Sequence, residues 1–150
     1  MKQAKIPYVF QVLLHKWFVM LAGLKVGNIP LWRLLIHDWT KFLPVEFWVY
    51  RKRFTGKKYS EHEWVEAKNH HKLSNPHHWE YWISNSVPIP MPEVFVREMV
   101  ADWMAAGRSY KGSWDIQPWL KRNSYRIKIH EKTLLRVNEI LRSVGFKWPD

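Results

Sequence analysis

His37, Asp38 and Lys41 stand in the stretch Ile36-His37-Asp38-Trp39-Thr40-Lys41-Phe42. An imidazole sits next to a carboxylate, with an ammonium three and four residues further on. On a helix those offsets let the three polar heads converge. A histidine and an aspartate that bind divalent metal, beside a cation that holds an anionic substrate, form a hydrolytic set. The dipeptide is common by chance, so the reading needs further ligands elsewhere in the chain.

The chain supplies them. Of its eight histidines, His15, His37, His70, His71, His77 and His78 fall near helix faces or ends that can point inward. Two doublets, His70-His71 and His77-His78, stand six residues apart around Asn75-Pro76. Asp102 lies in Met99-Val100-Ala101-Asp102-Trp103, where an acid is costly to bury unless it is paired or ligates a metal. Glu98, one helical turn before Asp102, is placed to orient a ligating imidazole. His62 and His130 read as surface residues. Imidazole and carboxylate together suit Mn, Fe, Co, Ni or Zn, as one ion or two.

These residues need helices to position them. Apolar spacing at Val9, Leu13, Trp17, Met20, Leu21 and Leu24 predicts a largely buried amphipathic helix from about Pro7 to Val26, closed by Gly27-Asn28. Pro30 opens a second helix, Leu31 to about Thr40, that would carry the His-Asp pair. Pro44 breaks it, and Val45 to Phe54 reads as a short helix ending at Gly56. Ser60 and Glu63 form a capping box for a helix that reaches His70 and His71. Asn75 and Pro76 predict a new start, with His77 and His78 in its first turn. Val87 to Pro92 is a stiff proline-rich loop. Further helices are expected from Pro92 to Ala106 with Gly107 as the stop, near Pro118 to Arg122, and from Glu131 to Val144. The fold class is all-α, a single-domain bundle of six or seven helices over residues 1–150.

The chain has 150 residues, 47% of them hydrophobic, and eleven tryptophans, which suits a folded domain with a sizeable core. It has no cysteine, which excludes disulfides and thiolate metal sites. A formal charge of +11 favours anionic partners. Lys2 and Lys5 before the apolar run Ile6–Leu24 resemble the start of a signal sequence, but Gln11, His15 and Lys16 interrupt the run and no clean cleavage site follows. The expectation is a cytoplasmic protein without membrane contact.

The order His15, His37-Asp38, further histidines, then Asp102 resembles the His…His-Asp…Asp pattern of the HD-domain superfamily of metal-dependent phosphohydrolases. His37-Asp38-x-x-Lys41 and the doublet His77-His78 are similar to the binuclear members, including the cyclic-dinucleotide phosphodiesterase branch. The Gly-Tyr-Pro signature of that branch is absent, and the gap between histidine clusters is shorter than it uses, so its substrate is not carried over. The stretches His71-x-x-x-Asn75-x-His77-His78-Trp79-Glu80 and Glu98-x-x-x-Asp102-Trp103 also resemble a small family of bacteria and their phages, a likeness that brings no activity with it.

The HD resemblance implies that His15, His37, Asp38 and Asp102 hold a first metal. Asp38 would bridge to a second held by His71, His77 and His78. It also implies a metal-activated water as nucleophile, with Lys41, helped by Arg97 or Arg108, neutralising charge on the phosphoryl oxygens. His70, Asn75 and Glu98 would support the ligands or the substrate. The substrate class is a nucleotide or another phosphate ester. Two other readings compete: an HD-type di-iron oxygenase, and a basic module that binds nucleic acid through backbone contacts and tryptophan stacking.

Overall fold

The computed structural model describes residues 7–149; Lys2, Lys5 and Ile6 lie outside the described residues. Seven α-helices dominate: α1 (Tyr8–Val26), α2 (Leu31–Ile36), α3 (Pro44–Thr55), α4 (Glu61–Ser74), α5 (Glu93–Lys111), α6 (Gln117–Asn123) and α7 (Glu131–Ser143). The fold class is all-α, as the apolar periodicity predicts. The only strands among the described residues, β1 (Ile83–Ser84) and β2 (Val87–Pro88), form a tiny antiparallel hairpin. Asn85 and Ser86 both take positive φ between them, which two-residue hairpin turns require.

The core lies along α5. Val96, Met99, Val100 and Met104 pack against Val19, Ala22 and Val26 of α1 and against Val137, Ile140 and Leu141 of α7. Burying each of these aliphatic side chains contributes about 1.5–3 kcal/mol. α2 crosses α1 closely: a Cβ on Gly23 would meet Leu34 Cδ2 at 2.5 Å. The capping box of α4 forms as predicted, with Ser60 Oγ accepting from Glu63 N at 3.0 Å and Glu63 accepting from Ser60 N at 2.7 Å.

Four expectations need correction. The buried face of α1 is Tyr8, Gln11, Val12, His15, Val19, Ala22, Gly23 and Val26, while Val9, Leu13, Trp17, Leu21 and Leu24 are exposed. Both faces are apolar, so periodicity could not tell which one turns inward. Second, α2 stops at Ile36: His37 is extended and Asp38 is left-handed (φ 54°, ψ 26°), followed by a 3-10 turn over Trp39–Phe42. Third, Asn75 closes α4 instead of opening a helix. Its amide donates to His71 O at 2.7 Å, and only a 3-10 turn, Trp79–Trp82, follows His78. Fourth, Gly107 lies inside α5, and Gly112 ends it in the left-handed conformation. Gly107 is needed for closeness, because a Cβ there would lie 3.0 Å from Ser113 O.

Candidate metal centre

Five segments meet at one buried point. α1 brings His15, the corner after α2 brings His37 and Asp38, and α4 brings His71. The turn after α4 brings His77 and His78, and α5 brings Glu98 and Asp102. The left-handed Asp38 is what turns both members of the His-Asp pair to the same centre. Aspartate is one of the few residues that visit this conformation, and local strain of this kind gathers at functional sites. The 3-10 turn still brings Lys41 back: its N–H donates to Asp38 O, and its Nζ lies 2.6 Å from Asp38 Oδ2.

Asp38 is the hub. Its Oδ1 lies 3.2 Å from His77 Nε2 and 3.5 Å from both His71 Nε2 and His37 Nε2, and its Oδ2 lies 3.8 Å from His15 Nε2. Asp102 Oδ1 lies 3.0 Å from His15 Nε2 and 3.3 Å from His37 Nε2. His78 Nε2 sits 2.9 Å from His71 Nε2. Three overlapping sets could each hold an ion: His15, His37, Asp38 and Asp102; Asp38, His77 and His78; and His37, His77 and Glu98.

The Nδ1 atoms of His37, His71 and His77 face outward onto carboxylates, and that of His15 lies 3.4 Å from Ser109 Oγ. Glu98 Oε1 lies 3.0 Å from His37 Nδ1 and 3.3 Å from His77 Nδ1, while its Oε2 accepts from Arg33 at 2.7 and 2.8 Å. Glu46 of α3 sits 3.0 Å from His71 Nδ1 and 2.6 Å from His70 Nδ1. An Nδ1–H held by a carboxylate fixes the tautomer and leaves Nε2 as a lone pair, the arrangement typical of metal-binding histidine. His15, His37 and His77 Nε2 and Asp38 Oδ1 are all buried without a hydrogen-bond partner. The short distances among them lack the alignment of hydrogen bonds. Leaving such atoms unsatisfied costs about 1–3 kcal/mol each, a cost that a bound cation removes. The donor set of imidazole and carboxylate fits a borderline divalent ion.

The buried imidazoles and carboxylates set one another's charge state. Burial opposes a charge on His77, but Asp38 and Glu98 outweigh it and raise the group to about 10. His37 is also raised, with Asp38 overcoming its burial. Burial works against the Asp38 and Asp102 carboxylates too. The charges of His37, Lys41 and His71 hold Asp38 well below its ordinary range, and the adjacent His15 and His37 imidazoles do the same for Asp102. Lys41 is raised because Asp38 outweighs its burial. Burial lowers His15 and His78, in the latter case with the charges of His77 and His71 added.

Chain order does not decide every placement. His70 sits outside the cluster on Glu46, and Asn75 donates to Thr40 Oγ1 at 2.8 Å, bracing the corner beside Asp38. Arg97 is engaged by Glu93 and Val26 O, and Arg108 by Gly112 O and the Phe18 ring. The structure thus turns both arginines to partners other than the cluster. His62 is exposed, whereas His130 caps α7 by accepting from Lys132 N at 3.1 Å. Glu46 is a site residue that the sequence analysis does not include, although an acid inside Leu43-Pro44-Val45-Glu46-Phe47-Trp48-Val49 carries the same signal as Asp102.

The model of a family of unknown function (DUF5662) matches residues 5–143. The chain belongs to this family. Its matched span takes in every residue of the cluster, from His15 to Asp102. No curated protein and no solved structure matches the chain.

Two cavities flank the cluster. One of about 420 Å³ is bordered by His78 and Asp102, with Trp79, Trp103, Lys72 and Arg126 on its walls. A second of about 300 Å³ reaches Lys41 from the other side, between Tyr8, Gln11, Tyr50 and Arg53. Tyr8 Oη and Gln11 Nε2 are buried there without partners.

Proposed function

We propose that this protein is a metal-dependent phosphohydrolase acting on a nucleotide or another phosphate ester, with one or two divalent ions such as Mn, Fe, Co, Ni or Zn. The observation that carries the reading is the convergence of buried, unpartnered His15, His37 and His77 Nε2 atoms on Asp38 and Asp102. Glu98 and Glu46 hold the outer ring nitrogens, as ligand histidines require. The set also has the ligand order of the HD-domain phosphohydrolases.

His15, His37, Asp38 and Asp102 would hold one ion, and Asp38, His77 and His78, with His71 beside them, a second. Bound divalent metal supplies Lewis acidity and lowers the pKa of a water toward neutrality. The chain's own residues do the rest. Asp38 Oδ2 keeps the Lys41 ammonium charged and aimed, so Lys41 can stabilise negative charge on a phosphoryl group. Arg126 adds a cation to the cavity beside His78 and Asp102, where Lys72 is paired with Glu80, and Trp79 and Trp103 give it apolar walls for a planar leaving group. Burial of the cluster keeps bulk water out and strengthens each of these interactions.

The test is elemental analysis of the purified protein, followed by hydrolysis of a nucleotide and phosphate-ester panel with each metal. The expected result is bound transition metal and phosphate release that Asp38→Ala abolishes. A protein that takes up no metal and releases no phosphate with any of them would remove the proposal. Metal with oxygen-dependent turnover in place of hydrolysis would favour the di-iron oxygenase.

A further inference from the structure

We infer that the outer face formed by α1 and α2 is a docking surface for an anionic lipid bilayer, with α1 lying in the plane of the interface. This inference is independent of the chemistry at the metal centre, and it departs from the expectation of no membrane contact.

On α1, Val9, Leu13, Trp17, Leu21 and Leu24 are exposed, Trp17 by 58%. On α2, Leu31, Trp32, Leu35 and Ile36 are exposed, Leu35 by 65%. The two helices lie side by side, with Leu34 packed on Gly23 and Lys16 Nζ donating to Leu35 O and His37 O. Trp39 and Phe42 extend the apolar surface past the corner. So many large apolar side chains on adjoining helices mark an interaction site.

Charge selects the occupant. Residues 7–60 contain nine lysines and arginines but only two acids, Asp38 and Glu46. Both acids are buried in the cluster. On the docking helices Lys25 is exposed and Lys16 part-exposed beside Trp17, while Arg33 is paired with Glu98; Arg51, Arg53, Lys57 and Lys58 add exposed cations on α3 and the loop after it, and no residue of this stretch exposes a carboxylate. Exposed tryptophan and aliphatic side chains beside lysine and arginine match the interface of an anionic membrane. A second copy meeting this face isologously would bring the Lys16 and Lys25 cations of both copies into the same interface. Nucleic acid would use the cations but gain little from Leu13, Leu21, Leu24, Leu31 and Leu35.

α1 is long and apolar enough to cross a membrane. Its inner face, however, carries Gln11 and His15 and packs on α5, so the folded protein presents only the outer face. The helix therefore lies on a bilayer instead of spanning it.

The experiment is co-sedimentation of the full chain with vesicles of phosphatidylcholine alone or mixed with phosphatidylglycerol. Strong binding to the anionic vesicles only is expected, weakening as salt rises from about 0.1 to about 0.5 M. W17E and L31E should each weaken it by about tenfold or more, while L135E, at an exposed apolar position on α7, should not. Circular dichroism and Tm establish that the variants fold; Leu31 opens its helix, where a glutamate is tolerated. No binding to either vesicle, equal binding to both, or wild-type binding by folded W17E and L31E would each overturn the inference. A concentration-dependent dimer without vesicle binding would overturn it in favour of a second copy.

Discussion

Asp38 approaches four imidazoles and one ammonium, so its carboxylate cannot be removed without dispersing the cluster. Asp38→Ala is expected to lose both metal and phosphate release, read by elemental analysis and by rate. Lys41→Ala should keep the metal and slow kcat by about 10²-fold, the usual effect of losing one group that stabilises transition-state charge. Glu98→Gln and Glu46→Gln should each weaken metal binding by about 10- to 100-fold, measured by competition with a chelator, because their carboxylates hold the Nδ1 atoms of His37, His77 and His71. The chelated protein should also show a stability maximum near pH 6.5. His37 and His77 have folded pKa values above the unfolded one, near 6.5, so their stabilisation is complete below that pH. For His77 it is lost as pH rises through about 10. His15 and His78 are lowered, and Asp38 and Asp102 are held down, so stability falls on the acid side as well. Chemical denaturation from pH 5 to pH 10 checks this; a flat profile would contradict it. Most of these groups were legible as residue types, since histidine doublets and an acid in an apolar run are conspicuous. Glu46 is less conspicuous, because a single acid in a short helix has no neighbouring histidine in sequence to mark it.

At the scale of the elements, the helices were legible where caps and breakers act locally. Ser60 with Glu63, Pro44 and Gly56 all behave as their chemistry dictates. The corner at His37-Asp38 was not legible, because nothing local forces a left-handed aspartate; the cluster that it serves does. Gly107 misled for the opposite reason, as its lack of a side chain answers to Ser113 and not to a helix end. The same logic gives a paired prediction. Gly23→Ala forces Leu34 away from α1, and Leu34 is itself fully buried, so the change should cost about 1–3 kcal/mol. Because α2 leads directly into His37, the same variant should also weaken metal binding. Ser60→Ala should cost about 1 kcal/mol through the lost cap of α4 while leaving metal affinity close to wild type. Equal metal affinity in both variants would mean that the α1–α2 contact does not set the position of His37.

Over the whole molecule, the cluster joins parts of the chain that are far apart in sequence. His15 and Asp102 are separated by most of the protein, yet their side chains lie 3.0 Å apart. The all-α class followed from periodicity, but which face of α1 turns inward did not, because His15 and Gln11 make the buried face the more polar of the two. A hydropathy pattern assigns such a helix the wrong way round, and only the meeting of His15 with side chains of α4 and α5 in one buried cluster reverses it. That meeting has a thermodynamic consequence. The unfolded chain cannot hold these donors together, so the proposed metal binding would be coupled to folding. Metal at about 1,000 times its Kd should stabilise the protein by about 4 kcal/mol, seen as a rise in Tm that a chelator reverses. His77→Ala should shrink the rise by removing a ligand, whereas His62→Ala, at an exposed position away from the cluster, should leave it intact. If metal does not shift Tm in the wild type, the buried imidazoles are a structural network and not a binding site.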